Sequence, residues 1–306
     1  MVINNFNLST LKRLLKQSLI VNEQIMMEID DTMIKSVSFS STKSLIKIWQ
    51  TPIEAFVTTN DENPELLEDN EIIDKSSYIM SLDGKFNLYI LKGSLFLKYL
   101  DVFSMKTPCK LTIDVDTNSH QATQLVIEGL SESGSKIKTK FILTTETMIV
   151  DKVEDYGFIL KQCSPEESFS KFSIGEKQLV EIKNLIKKLH KSIVNNSSYV
   201  IFNFDDNGIL TVSDKAFNIE VNYETSDDSR LKGFEFNLLK NDLVMLGEHS
   251  FVVYTDKNSP KVIFGTNYGE AIVWCMSVKV SEDINTDEIS DINDIADNLN
   301  LEEYGF

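Results

Sequence analysis

The sequence predicts an α+β fold built twice: two domains, each with two helices packed on antiparallel sheets. Three observations carry that expectation. The order of segments recurs across two halves, an Asp-Asp turn stands at the same place in each, and a basic amphipathic helix opens each half. A repeat this long signals two copies of one domain, and 306 residues give each copy enough chain to bury its own core.

The first half opens with Leu8-Ser9-Thr10-Leu11-Lys12-Arg13-Leu14-Leu15-Lys16, where Leu8, Leu11, Leu15 and Ser18 share one face of a helix over 8–20. Strands follow near 24–30, 33–40, 44–50 and 76–91, read from β-branched and aromatic runs with partial alternation. Asp30-Asp31 turns the chain between the first two, and Asp83-Gly84 is a further turn signal. A short helix at 92–103 directs Phe96, Tyr99, Leu100 and Phe103 inward, and strands near 109–116, 123–130 and 136–144 complete the half. The second half repeats the plan: helix 176–194 with Leu179, Ile182, Ile186, Leu189 and Ile193 on one stripe, then strands 199–204, 209–214, 217–224 and 231–237. Asp205-Asp206 takes the place of Asp30-Asp31; helix 238–246 and strands near 250–256, 260–265 and 270–280 follow. Boundaries fall at a first domain 1–145, a connector 146–169 with little periodicity, a second domain 170–280, and a tail 281–306 whose composition predicts disorder.

Charge is unevenly spread. The chain carries −17, yet Ser281–Phe306 holds nine acids and no base, and Asn60–Asp74 holds seven acids and no base; without those sixteen acids the balance is −1. Positive charge gathers on the helices: +3 over Leu8–Leu19, and five lysines against two glutamates over Glu176–Lys191. A solvated helix face usually mixes signs, so a positive bias recurring at equivalent places in an acidic chain points to a polyanion along those helices and to repulsion elsewhere. On the outward or flanking positions lie Lys12, Arg13 and Lys16 in the first helix, Lys98 in the short one, and Lys177, Lys183, Lys187, Lys188 and Lys191 in the helix opening the second half.

Other chemistries find little support. Cys109, Cys163 and Cys275 are odd in number and far apart, which fits a reducing compartment and neither a disulfide framework nor a zinc site. The basic, acid-free amino terminus also has the character of a mitochondrial presequence, but its counterpart in the second half is internal. No run approaches the length of a membrane span. Asp114-Val115-Asp116-Thr117-Asn118 starts like a calcium loop, but Ser119 stands where the glycine belongs and Leu125 where the bidentate Glu belongs. His120, His190 and His249 have no ligand spacing, and no phosphate-cradling loop or nucleophile elbow occurs. The expectation is a binding protein with no catalytic residues, no metal and no cofactor.

Duplicated helix–four strands–helix–three strands with basic helices on an acidic body resembles the DNA sliding-clamp superfamily, relatives of proliferating-cell nuclear antigen. Within it the chain is most similar to the two-domain DNA polymerase clamps of tailed bacteriophages. The more specific likenesses are Tyr89–Leu95, Phe236–Met245, Ser250–Tyr254 and Ala271–Trp274, and the resemblance covers roughly 5–280. The acidic loop at 60–74 and the tail depart from it. What the resemblance implies is a homotrimeric ring around double-stranded DNA, with the nine cations above lining the hole without reading sequence. An ATP-driven clamp loader and a DNA polymerase are the implied partners, transcription factors are further candidates, and the implied location is the cytoplasm of an infected host cell. It also implies edge-to-edge subunit pairing of Lys136–Thr144 with Phe217–Glu224 of the neighbour. Lys136, Lys138 and Lys140 flank Phe141 on one side, and Glu220 and Glu224 flank Ile219 on the other. The tail's end, with Leu299, Leu301, Tyr304 and Phe306, is similar to the hydrophobic–acidic peptides that dock on clamps. The competing expectations are a virion or late-gene structural protein with a duplicated β-rich domain and no tethering role, and an enzyme with an unrecognised carboxylate site.

Overall fold

The computed structural model describes residues 1–306 apart from 59–77, 80–83, 154, 190–197, 215, 227, 248–249 and 281–306. In chain order the elements are β1 (Val2–Phe6), α1 (Leu8–Leu19), β2 (Ile25–Ile29), β3 (Met33–Phe39), β4 (Leu45–Pro52), β5 (Tyr78–Ile79), β6 (Phe86–Ile90), α2 (Gly93–Leu100), β7 (Cys109–Asp116), β8 (Gln121–Leu130) and β9 (Lys136–Ile142). There follow α3 (Tyr156–Gln162), β10 (Ser170–Ile174), α4 (Glu176–Leu189), β11 (Tyr199–Phe204), β12 (Leu210–Ser213), β13 (Asn218–Val221), β14 (Tyr223–Thr225) and α5 (Asp228–Leu231). The chain continues through β15 (Phe234–Leu239), α6 (Lys240–Met245), β16 (Phe251–Thr255), β17 (Lys261–Tyr268) and β18 (Ala271–Val278). Two compact units result: Met1–Ser38 with Trp49–Val153, and Phe39–Ile48 with the chain from Glu154 onward.

In the first unit, to which β4 belongs from Trp49 onward, the strands run β4-β3-β2-β6 and β9-β8-β7-β1-β5, joined where β6 meets β8 in parallel at Asn87 and Gln121. In the second they run β13-β12-β11-β15 and β14-β10-β16-β17-β18. These orders are the same meander twice: β4, β3, β2 and β6 correspond to β13, β12, β11 and β15, and β9, β8, β7 and β1 to β18, β17, β16 and β10. The sequence reading missed β1 and β10, which precede each basic helix. Val2-Ile3-Asn4-Asn5-Phe6 is too short and too rich in Asn for an alternation signal.

The Asp turns form as expected. Asp30 Oδ1 accepts from the Thr32 and Met33 amides at 2.8 and 2.7 Å, and Asp205 Oδ1 from the Asn207 and Ile209 amides at 2.9 and 2.7 Å. A carboxylate that accepts two backbone amides closes the turn without help from the strands. In the second turn Gly208 sits at φ +85°, where a Cβ would be strained. The cores are apolar and aromatic. Ile3, Phe6, Leu14, Leu15, Phe56 and Phe86 are almost wholly buried in the first unit, as are Phe172, Phe202, Phe204 and Phe251 in the second. Phe202 and Phe236, directly opposite on β11 and β15, stack at 5.0 Å.

Three expectations change. The strand expected over 76–91 is two strands among the described residues, β5 and β6. The connector contains α3, capped by Asp155, whose Oδ1 accepts from the Gly157 and Phe158 amides, with Tyr156 and Ile159 buried. Seven residues, about two turns, are too few to show a helical period. The strand expected over 217–224 breaks at Asn222: β13 ends at Val221, and β14 leaves for another sheet, with Glu224 opposite Ser173 of β10. Past it, α5 delays the next strand to Phe234.

Candidate nucleic-acid interface

The basic helices owe their orientation to their apolar stripes. In α1 the Asn7 side chain caps the amino end, accepting from the Ser9 and Thr10 amides, and Leu8, Leu11, Leu14 and Leu15 face inward. The helix α2 packs against it. Gly93 permits the approach, since a Cβ there would lie 2.5 Å from Ile25 Cδ1 and 2.7 Å from Leu19 Cδ2. The Ser94 amide donates to the Glu23 side chain at 3.0 Å. This leaves Arg13, Lys16 and Lys98 exposed, and α1 itself carries no acid to neutralise them.

In the second unit α4 buries Leu179, Ile182 and Ile186, and Lys177, Lys187 and Lys188 are exposed. A pocket of about 650 Å³ opens beside the last two, between α4 and α6, lined also by Asn184, Ile186, Asn241 and Val244. The short α6 has a buried cation of its own: Lys240 pairs with Asp214 at 2.5 Å, both side chains about 95% enclosed or more. Beside it Asp242 is buried. Its Oδ1 accepts from the Ser44 hydroxyl and its Oδ2 from the Ser277 hydroxyl, both at 2.8 Å. Burial raises its pKa to about 6, and the two hydroxyl bonds oppose that rise. Ser44 belongs to this unit, where the start of β4 lies next to β18 and the Val278 amide donates to the Ser44 carbonyl at 3.1 Å.

Of the nine cations expected to face a polyanion, six are exposed. Lys12 is buried and its ammonium bonds Asp101 at 2.8 Å. Lys183 is 3% exposed on the inner side of α4. Both lie on the flank of the helical wheel, where a long side chain over an apolar stripe is enclosed by the neighbouring element. Lys191 lies outside the described residues, as do Leu299, Leu301, Tyr304 and Phe306.

The expected pairing residues are placed as follows. Among the described residues β9 bonds β8 on one side only, with Lys136, Lys138 and Lys140 exposed and Ile137, Thr139 and Phe141 on its other face. Lys138 reaches Glu128 at 3.0 Å. β13 is likewise the outer strand of its sheet and carries Ile219 and Glu220, whereas Glu224 lies on β14, off that edge. A groove of about 690 Å³ runs between α2 and β9. Its walls include Leu95 and Tyr99, 46% and 50% exposed, and Ile142, 74% exposed, with Phe96 edge-on to Phe141 at 4.8 Å. Tyr99 is therefore a groove residue and not the core residue the helical pattern predicted. Leu95 and Tyr99 stand four apart on the outward face of α2, and Ile142 continues the outward Lys alternation of β9; those two breaks in polarity were the available signal.

Among the described residues no group of three or more His, Cys, Asp or Glu could hold a metal ion, and no helix is long and apolar enough to cross a membrane. No family model and no curated protein matches the chain. Its fold is similar to a solved structure of proliferating cellular nuclear antigen from Entamoeba histolytica, at TM-score 0.59 and 10% identity, over 92% of this chain and 98% of that one. At that identity the likeness speaks for the fold, and the fold of this chain is the duplicated α+β clamp fold.

Proposed function

We propose that the chain is a sliding clamp: a homotrimeric ring that encircles double-stranded DNA and tethers a DNA polymerase for processive synthesis, opened and closed by an ATP-driven loader. What carries this reading is that both basic helices, at equivalent places in the repeat, keep cations in solvent while the chain as a whole is at −17. Arg13, Lys16, Lys98, Lys177, Lys187 and Lys188 offer phosphate contacts without a reader of base edges, which suits binding without register. The role is that of a scaffold and not of a catalyst.

The assembly reading rests on the free edges. In the repeat β13 is the counterpart of β4 and β9 the counterpart of β18. The start of β4 already lies beside β18 within the second unit, so a second copy would place its β13 on β9 in the same manner. A head-to-tail contact of this kind closes into a ring when its rotation allows. The α2–β9 groove would then take apolar side chains of the neighbour, with Lys136, Lys138 and Lys140 facing Glu220. Glu224 is left out of that pairing by its place on β14. The test is primer extension on circular and linear templates, with sedimentation alongside. A clamp gives a particle of three times 34.8 kDa and processivity on the circle that is lost on the linear template. Equal processivity on both, or none on either, sinks the tethering role and favours a structural protein.

A further inference from the structure

The second unit holds a polar pocket that the clamp reading does not use. It measures about 430 Å³ and lies between the start of β10, α5 and the end of β16. Ser168, Ser170 and Ser229 supply hydroxyls, and Arg230 and Lys257 supply positive charge. Both cations are exposed, and neither makes an ion pair with a described residue. Thr255, 0% exposed, lines the same pocket, and its Oγ1 has no hydrogen-bond partner among the described residues. A buried hydroxyl left unpaired costs free energy, so the pocket calls for an oxygen-bearing ligand. The one carboxylate lining it among the described residues, Asp256, is turned to local use: Oδ1 accepts from the Asn258 amide at 2.8 Å.

The last described residues run beside the rim, and an acidic segment follows them in the sequence. The Lys279 ammonium lies 4.9 Å from the ring centroid of Phe234, a pocket residue, and donates to the Asp256 carbonyl. The Val280 amide donates to the Asn237 carbonyl at 3.0 Å. Beyond Val280 come Glu282, Asp283, Asp287 and Glu288, the first of nine acids in a segment with no base. At coil dimensions eight residues would span on the order of 16 Å, enough to double back to the pocket. Tethering supplies an effective concentration of about millimolar, so individually weak contacts hold the segment.

We propose that this pocket docks the chain's own acidic carboxyl-terminal segment, with carboxylates between Glu282 and Glu288 bridging Arg230 and Lys257. Docking covers positive charge on this unit and leaves the basic helices as the open cationic surface. The inference does not depend on ring formation.

The test is zero-length carbodiimide coupling of the full-length chain at low salt, with cross-linked peptides identified by mass spectrometry. Lys257 should couple to carboxylates of 282–288 in preference to exposed lysines elsewhere, such as Lys106 and Lys110. Arg230→Glu leaves both coupling partners intact and should lower that yield about five-fold, as should raising the salt to about 0.5 M, where the Debye length shrinks to a few ångström. Unchanged circular dichroism keeps the variant interpretable. Tail carboxylates coupling evenly to all exposed lysines, or a yield indifferent to Arg230→Glu, would overturn the proposal. So would cross-links joining isotopically distinct chains in a mixed sample, since these would assign the pocket to a neighbouring copy's tail.

Discussion

Replacing Asp242 by Asn separates one titration from all others in the molecule. Asp242 is 1% exposed and held by two serine hydroxyls, and its carboxyl is raised from 3.8 to about 6 by burial. In the unfolded chain it ionises near 3.8. Between about pH 4 and pH 6 the unfolded state therefore loses a proton that the folded state keeps, and stability falls as pH rises through that window. Below it both states are protonated and above it both are ionised, so the contribution is flat on either side. Two pKa units correspond to about 3 kcal/mol.

The Asn side chain is neutral throughout. It retains one acceptor, and its amino group requires one serine to turn and accept. Ser44 is suited to that, since its hydroxyl lies 2.7 Å from Thr42 Oγ1 and can donate there. The assay is guanidinium unfolding of parent and Asp242→Asn from pH 4 to pH 8, read by Trp274 in a Trp49→Phe background so that the second unit reports. Relative to the variant, the parent should lose about 2.4 kcal/mol between pH 4 and pH 7, most of the full ~3, with other carboxylates cancelling in the difference. Parallel curves within about 0.5 kcal/mol would refute the reasoning, because a carboxyl that ionises without cost is not desolvated. Ser277→Ala removes the stronger opposing bond and should widen the window upward.

The remaining predictions concern surfaces and packing. Lys187→Glu/Lys188→Glu/Lys191→Glu should abolish retention on circular DNA at ordinary salt with the fold unchanged by circular dichroism, and processive synthesis by that variant would remove α4 from the DNA-facing surface. Lys12→Gln should leave retention within about two-fold of the parent while Arg13→Glu/Lys16→Glu lowers it, because the Lys12 ammonium is committed to Asp101 at 2.8 Å; equal losses in a nicked-circle retention assay would contradict that division. Ile142→Glu, 74% exposed on β9, should yield folded monomers of 34.8 kDa by sedimentation, and an intact trimer would remove this edge from the interface. Gly93→Ala should cost about 1–3 kcal/mol in denaturant unfolding, since its Cβ would meet Ile25 and Leu19 inside contact distance; a neutral change would show that the α1–α2 contact yields easily.

The parts of the fold legible in the sequence are those where a local pattern and the tertiary demand coincide. Leu8, Leu11 and Leu15 share a helical face and are buried together; Ile182 and Ile186 do likewise; Asp30 and Asp205 close equivalent turns through their own side chains. What escaped is decided between elements. β1 and β10 exist because β7 and β16 offer them a partner, and five residues have no period strong enough to announce it. Asn222 ends one strand and frees the next for another sheet, although Phe217–Glu224 alternates without interruption. The pocket around Thr255 joins segments far apart in sequence, at the start of β10, in α5 and at the end of β16, and nothing local marks any of them as a site.

The cations make the same point in electrostatic terms. A helical wheel ranks Lys12 and Lys16, or Lys183 and Lys187, by angle alone, and each pair differs by only about 40°. In the folded chain that angle separates an ammonium enclosed beside an apolar stripe from one in water. An enclosed cation needs a nearby anion: Lys12 finds Asp101 and Lys240 finds Asp214, so each adds almost nothing to the outward field. In the proposed clamp, the charges that would shed counterions on meeting phosphate are, among the described residues, the exposed Arg13, Lys16, Lys98, Lys177, Lys187 and Lys188. The buried lysines tie their helices to neighbouring groups, whereas the exposed cations keep their charged heads at the solvent surface. In the clamp proposed above, cations held at the solvent surface would attract phosphate without reading bases, which is what sliding along DNA would require.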